Sequence, residues 1–210
     1  MKNDHSPTTP VSGRRGRGPI LRFSPTAWAK LVYFRDRHDA EVTGLGVPSE
    51  DDSLSIIAVE LLRQRSSGVS AVFDDRAVAE FFARQFLEIR EGMSPERISR
   101  VWVHTHPYDS ALPSMADEEA FQRVLGTADW AVLFVLAREG PSYASLRFHV
   151  GPGGAVRIPS CVDYSRPFAA SDRAAWEQEY QASVELCPPI LGDSPAPWFP
   201  SGDEEEAIDW

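Results

Sequence analysis

A single α/β domain, with a mixed sheet covered by at least two helices, is predicted by three observations. Short β-branched and aromatic runs alternate along the chain with stretches of helical period. The connections between neighbouring runs are short enough to join paired strands. Finally, 42% of the 210 residues are hydrophobic, enough for one core in a chain of this size.

Residues 1–18 hold four basic groups and one acidic, no aromatic residue, and much Pro, Thr, Ser, Gly and Arg. That composition cannot bury enough apolar surface to offset the entropy of ordering, so a disordered basic tail is expected. The domain proper, 19–187, opens with a short strand at 20–23. Ser24-Pro25 then supplies an N-cap and a first helical residue for a helix to about His38. Segments 41–47 and 54–62 read as strands across the turn 48–52, and 69–73 as a third. Asp74-Asp75 open an amphipathic helix to about Arg90, whose Ala79, Phe82, Phe86 and Ile89 recur at helical spacing, with the two aromatics expected in the core. Residues 100–106 form a strand closed by Pro107, 114–125 a helix, and 130–137 with 145–150 a hairpin across Glu139-Gly140-Pro141. A last helix is expected over about 171–186, with Trp176, Tyr180 and Val184 on one face. From 188 to 210, five prolines and six acidic residues with no basic one predict a disordered, Pro-rich acidic tail. Within it Trp198, Phe199 and Trp210 suit a docking peptide as well as a solvated spacer.

The net charge is −10, and the body between the tails keeps −7 of it. An acidic body excludes duplex DNA as the main partner, and no nucleic acid is expected. The longest apolar run, 130–137, is less than half the roughly 18 residues a membrane helix needs, and polar residues follow Met1. Neither a membrane span nor a secretory signal is expected. The two cysteines, Cys161 and Cys187, could close one bridge at most, and a cytoplasmic, reducing setting is the expectation. Only Lys2 and Lys30 of the 21 basic residues are lysines. Codon bias in a GC-rich bacterial genome accounts for this, as does an enzyme of lysine-linked conjugates avoiding modification of itself.

The chemistry centres on His104-Thr105-His106. Period two at a strand end puts both imidazoles on one face, where they can share a metal ion. Seven residues separate His106 from Ser114, and Asp117 follows three positions later at a helix start, so a loop can fold its carboxylate back over the strand end. Two His and one Asp suit zinc and leave a fourth position for water, as catalytic sites do. Each part has a plainer reading. An HxH pair is often two partly buried histidines, and Ser114 with Asp117 also fits a helix N-cap with acidic residue in the first turn.

Taken together, His104, His106, Ser114 and Asp117 resemble the H-x-H-x7-S-x2-D signature of the JAMM or MPN-plus (JAB domain) metallo-isopeptidases. Pro107 and Pro113 agree with that family's H-T-H-P and P-S context. Glu41-Val42-Thr43-Gly44-Leu45 resembles its upstream E-V-x-G-L segment, in which the glycine lets the backbone pass close to the metal pocket. Glu41 is thereby the candidate base, with Glu60 second, and Gly46 stands where many relatives carry a bulkier residue. The resemblance spans about 20–158 and implies an MPN fold with cytidine-deaminase-like layering. It implies one Zn2+ per chain on His104, His106 and Asp117, Glu41 as proton shuttle, and Ser114 as donor to the oxyanion. The implied activity is cleavage of the amide bond after the C-terminal glycine of a ubiquitin-like modifier, by deconjugation or precursor processing. Partners would be that modifier, its conjugates and E1-like or E2-like proteins of the same system. Processing of a sulfur-carrier protein is the alternative activity, and an inactive MPN scaffold the alternative class. A RadC-like enzyme fits less well, because Tyr108-Asp109 stands where that group has Ser-Gly.

Overall fold

The computed structural model describes residues 18–93, 95–166, 168 and 170–187. The expected disordered tails, Gly18 apart, lie outside the described residues. In chain order the elements are β1 (Leu21–Phe23), α1 (Pro25–Arg37), β2 (Val42–Pro48), β3 (Ser55–Leu61), β4 (Gln64–Ser67), β5 (Ser70–Phe73), α2 (Asp75–Arg90), β6 (Val101–His106), α3 (Met115–Leu125), β7 (Trp130–Ala137), β8 (Ser142–Phe148), β9 (Gly154–Arg157), β10 (Ser160–Val162), α4 (Arg173–Ser183) and β11 (Val184–Leu186).

The result is a mixed α/β fold. Eight strands make one sheet in the order β10-β1-β3-β2-β6-β7-β8-β9, and β11-β4-β5 form a small second sheet. The central strand β6 runs antiparallel to β2 and parallel to β7. The large sheet curls until the Ser142 hydroxyl on β8 and the Ser160 hydroxyl on β10 meet at 3.0 Å. Alternation along β6 sorts its side chains between two cores. Val101 and Val103 join Phe23, Ala27, Leu31 and Phe134 beneath α1. Trp102 joins Leu45, Phe81, Phe121 and Leu133 beneath α2 and α3. A smaller cluster of Phe34, Val42, Leu61, Trp176 and Tyr180 seats α4 against α1.

The predicted caps are in place: Ser24 accepts from the Ala27 N–H and Asp74 from the Ala77 N–H. The hairpin turn puts Glu139 and Gly140 at φ of 63° and 100°, the left-handed region where glycine costs least. No helix among the described residues is long and apolar enough to cross a membrane. Cys161 and Cys187 are free thiols.

Three expectations need correction. On α2 the buried residues are Phe81 and Gln85, whereas Phe86 is 56% exposed and Ala79 is exposed. Gln85 donates to the Ser99 hydroxyl and accepts from the Ser99 N–H, both at 3.0 Å. Satisfying that buried amide turns the helix about one residue away from the apolar stripe, leaving Phe82 and Ile89 half-buried at its margin. Helix α4 stops at Ser183, and Val184 starts a strand instead of continuing the helical face. The open edge of β4 recruits it, pairing Val184 with Gln64 and Leu186 with Ser66. Last, Gly44 does not serve the pocket. A Cβ there would stand 2.8 Å from the Glu60 carbonyl oxygen and 3.3 Å from Leu61 and Val59, so the glycine lets β2 lie close against β3. At Gly46 a Cβ would stand 3.2 to 3.3 Å from side-chain carbons of Ile56 and Val101, so a bulkier residue requires those neighbours to give by a few tenths of an ångström.

Candidate metal centre

Register explains why four residues scattered over 77 positions meet. β2 pairs with β6 so that Thr43 faces His104 and Leu45 faces Trp102. Continuing that parity, Glu41 lies on the same face as His104 and His106, one step before β2 begins. The fourth residue arrives from the other side. Helix α3 starts at Met115 and carries Asp117 in its first turn, over the end of β6.

The centre is buried and tight. Glu41, His104, His106 and Asp117 are 1%, 0%, 0% and 3% exposed, and one ligand atom from each lies within 4.8 Å of the others. His104 Nε2 is 3.1 Å from Glu41 Oε2 and 3.2 Å from Asp117 Oδ1. His106 Nε2 is 3.4 Å from Asp117 Oδ2 and 3.8 Å from Glu41 Oε1. The Ser110 carbonyl accepts from His106 Nδ1 at 2.6 Å, which places the ring proton on Nδ1 and turns the Nε2 lone pair inward. That buried Nε2 has no hydrogen-bond partner. Trp102 stacks on His104 at 4.8 Å with rings 6° from parallel.

If both imidazoles are neutral, as metal ligation requires, two buried carboxylates would carry uncompensated negative charge, which is costly in a buried site. A divalent cation would offset them. Without one, the groups lean on each other. Burial pushes the His106 imidazole down, but Asp117, the Ser110 carbonyl and the charge of Glu41 together raise it above its usual value. Burial likewise pushes Asp117 up, yet His106, His104 and the Ser114 contacts hold its carboxyl down to about 2. The donor set therefore fits a metal ion on three counts: four convergent groups, an orphaned imidazole nitrogen and an unbalanced charge.

Ser114 caps α3. Its hydroxyl accepts from the Asp117 N–H at 3.2 Å, and its own N–H donates to Asp117 Oδ2 at 2.7 Å. This capping box fixes the Asp117 carboxylate in place. Accepting a bond uses a lone pair and leaves the hydroxyl proton free, and the residue is exposed. Glu60, the second candidate for the base, is elsewhere: it lies on β3 in an exposed ion pair with Arg84.

Sequence reasoning passed over Tyr108. Its hydroxyl donates to Glu41 Oε1 at 2.9 Å and its ring stacks on His106 at 4.6 Å. Burial and the negative charge of Glu41 push the phenol up, so it keeps the proton it donates. The sequence offered little signal for it, because β6 ends at His106 and Tyr108 lies in the bend beyond the strand.

No family model matches the sequence, and no curated protein matches it. The solution structure of protein DSY2949 from Desulfitobacterium hafniense is similar over 69% of this chain and 93% of that one, at 15% identity and a TM-score of 0.46. A likeness of that degree says nothing about the centre.

Proposed function

We propose that this chain is a zinc-dependent isopeptidase or peptidase with an MPN fold, cleaving the amide bond after the C-terminal glycine of a ubiquitin-like modifier. The observation that carries the reading is the convergence of His104, His106 and Asp117 with Glu41 in one buried cluster, with Ser114 beside it, in the spacing of the JAMM signature. His104, His106 and Asp117 would hold the zinc, a borderline ion suited to two imidazoles and a carboxylate. When bound, zinc supplies Lewis acidity that brings the pKa of a water molecule towards neutrality.

The chain's own groups do the rest. Glu41 accepts a proton from the attacking water and returns it to the leaving amine, a transfer an amide needs because an amine leaves poorly without it. The Ser114 hydroxyl donates outward to the developing oxyanion, its lone pair being engaged by the helix cap. The Ser110 carbonyl holds His106 in the tautomer whose Nε2 faces the centre. A full donor set favours an enzyme over an inactive scaffold.

The test is turnover of a ubiquitin-like modifier carrying a C-terminal amide-linked reporter, beside elemental analysis. We expect about one zinc per chain, cleavage abolished by chelator, and a Glu41→Gln protein that keeps its zinc while losing about 10² to 10⁴ in rate. Chelator-insensitive cleavage would overturn the zinc reading. Absence of cleavage in the zinc-loaded wild type would leave a binding module instead.

A further inference from the structure

Glu41 and Asp117 are chemically alike and almost equally buried, at 1% and 3% exposure, and both point a carboxylate oxygen at His104 Nε2. Only one of them can be left free as a base. Something must decide which carboxylate binds a metal and which stays back from it, because four ligands would close the site.

Their hydrogen bonds differ. Asp117 is held through Oδ2 by the backbone N–H of Ser114, with both residues in the same capping box and Oδ1 left facing His104. Glu41 is held through Oε1 by a side chain from another element, the phenol of Tyr108 at 2.9 Å. Tyr108 is anchored through its ring and through its main chain. Its ring lies against His106, 27° from parallel, and its backbone carbonyl accepts from the Arg138 N–H at 3.0 Å, just past the end of β7. A donor so anchored takes up charge on one Glu41 oxygen and sets the plane of the carboxylate, both of which oppose coordination.

We propose that Tyr108 is a positioning residue that holds Glu41 back from the metal, so that Glu41 remains a base and the fourth coordination position stays open. The inference rests on the reading of Glu41 as the proton shuttle. Tyr108 itself touches Glu41 and His106 and needs no contact with substrate.

Tyr108→Phe removes the hydroxyl and keeps the ring against His106, so it isolates the hydrogen bond. The experiment titrates Co2+ into the metal-free full chain in four forms: wild type, Tyr108→Phe, Glu41→Gln and the double variant. Affinity is read by chelator competition and coordination by visible absorption. Turnover of the zinc-loaded forms is measured alongside. In Tyr108→Phe, Glu41 becomes a fourth ligand: Co2+ binds about tenfold tighter, its absorption bands shift, and kcat falls by about 10- to 100-fold at unchanged KM. In the Glu41→Gln background the same substitution changes none of these, because its effect travels through Glu41. Equal affinity and spectrum in wild type and Tyr108→Phe would overturn the proposal, as would effects that persist without Glu41. If the zinc-loaded wild type cleaves no modifier, the functional reading fails, and the Co2+ measurements still decide the role of Tyr108.

Discussion

Asp117 and Glu177 each have a carboxyl group held down to about 2, and they reach that value by opposite routes. Glu177, at the surface between α1 and α4, is gripped bidentately by Arg37 at 2.6 Å on both oxygens and accepts from the Tyr33 hydroxyl. Its charge is matched where it stands. Asp117 is buried among two imidazoles and a second carboxylate, so burial works against it and only its neighbours keep it ionised. A surface carboxylate with a guanidinium partner is a clasp. A buried one whose neighbours are imidazoles and another acid belongs to a cluster that could hold a cation.

The largest contrast should come from neutralising each. Asp117→Asn is expected to lose the metal and to bring turnover to the level of the chelated wild type, whereas Glu177→Gln should keep full metal content and turnover with a small fall in melting temperature. Elemental analysis, reporter cleavage and thermal melting of both proteins check this. Equal metal content in the two variants would remove the distinction drawn between them.

Ser114 sharpens the comparison at the mouth of the site. Ser114→Asp keeps a capping side chain, since Asp caps about as well as Ser, while Ser114→Ala gives up about 1 kcal/mol of cap. The Asp variant is expected to melt like wild type with turnover lost, because a repelling charge would replace the proposed oxyanion donor. Retained turnover would reduce Ser114 to a cap that fixes Asp117.

Acid should dissolve the clasp on its own schedule. Because Glu177 lies near 2 in the folded chain against an ordinary value near 4.5, its ionised form stabilises the fold at and above pH 5. That contribution fades as pH falls from about 5 towards 2. The melting-temperature gap between wild type and Glu177→Gln should therefore be constant from pH 7 to 5 and close progressively below. A gap that persists at pH 2 would mean the residue acts by packing rather than charge.

A further effect, on stability alone, concerns neither carboxylate but the strand that delivers Glu41. Gly44→Ala would press a methyl group to 2.8 Å from the Glu60 carbonyl, and a loss of about 1 to 3 kcal/mol is expected from the strand shift that follows. Chemical denaturation measures it.

Much of the centre was legible from local pattern. The HxH pair shares a face because strands alternate, and Ser114 with Asp117 is a capping box readable from four consecutive residues. The start of α1 and the turn at Glu139-Gly140 were equally local. Each depends on dihedral preference and on neighbours within a turn or two, and that information is carried by the residues themselves.

The rest was decided in three dimensions. Glu41 meets His104 across a separation of 63 residues, and only the pairing of β2 on β6 brings it there while Glu60 turns to Arg84. The role of Tyr108 needs that same register, since its partner lies 67 residues away. β4 has the sequence QRSS, with no apolar alternation to reveal it. It exists because β5 pairs with it and because the buried Gln64 amide donates to the Thr43 carbonyl and accepts from its N–H. β11 follows from the same edge, against the helical pattern that reaches 186, and the face of α2 was set by one amide seeking Ser99. In each case the deciding energy is a hydrogen bond or a close packing between segments far apart in the chain, and no local propensity of a fraction of a kcal/mol encodes that choice.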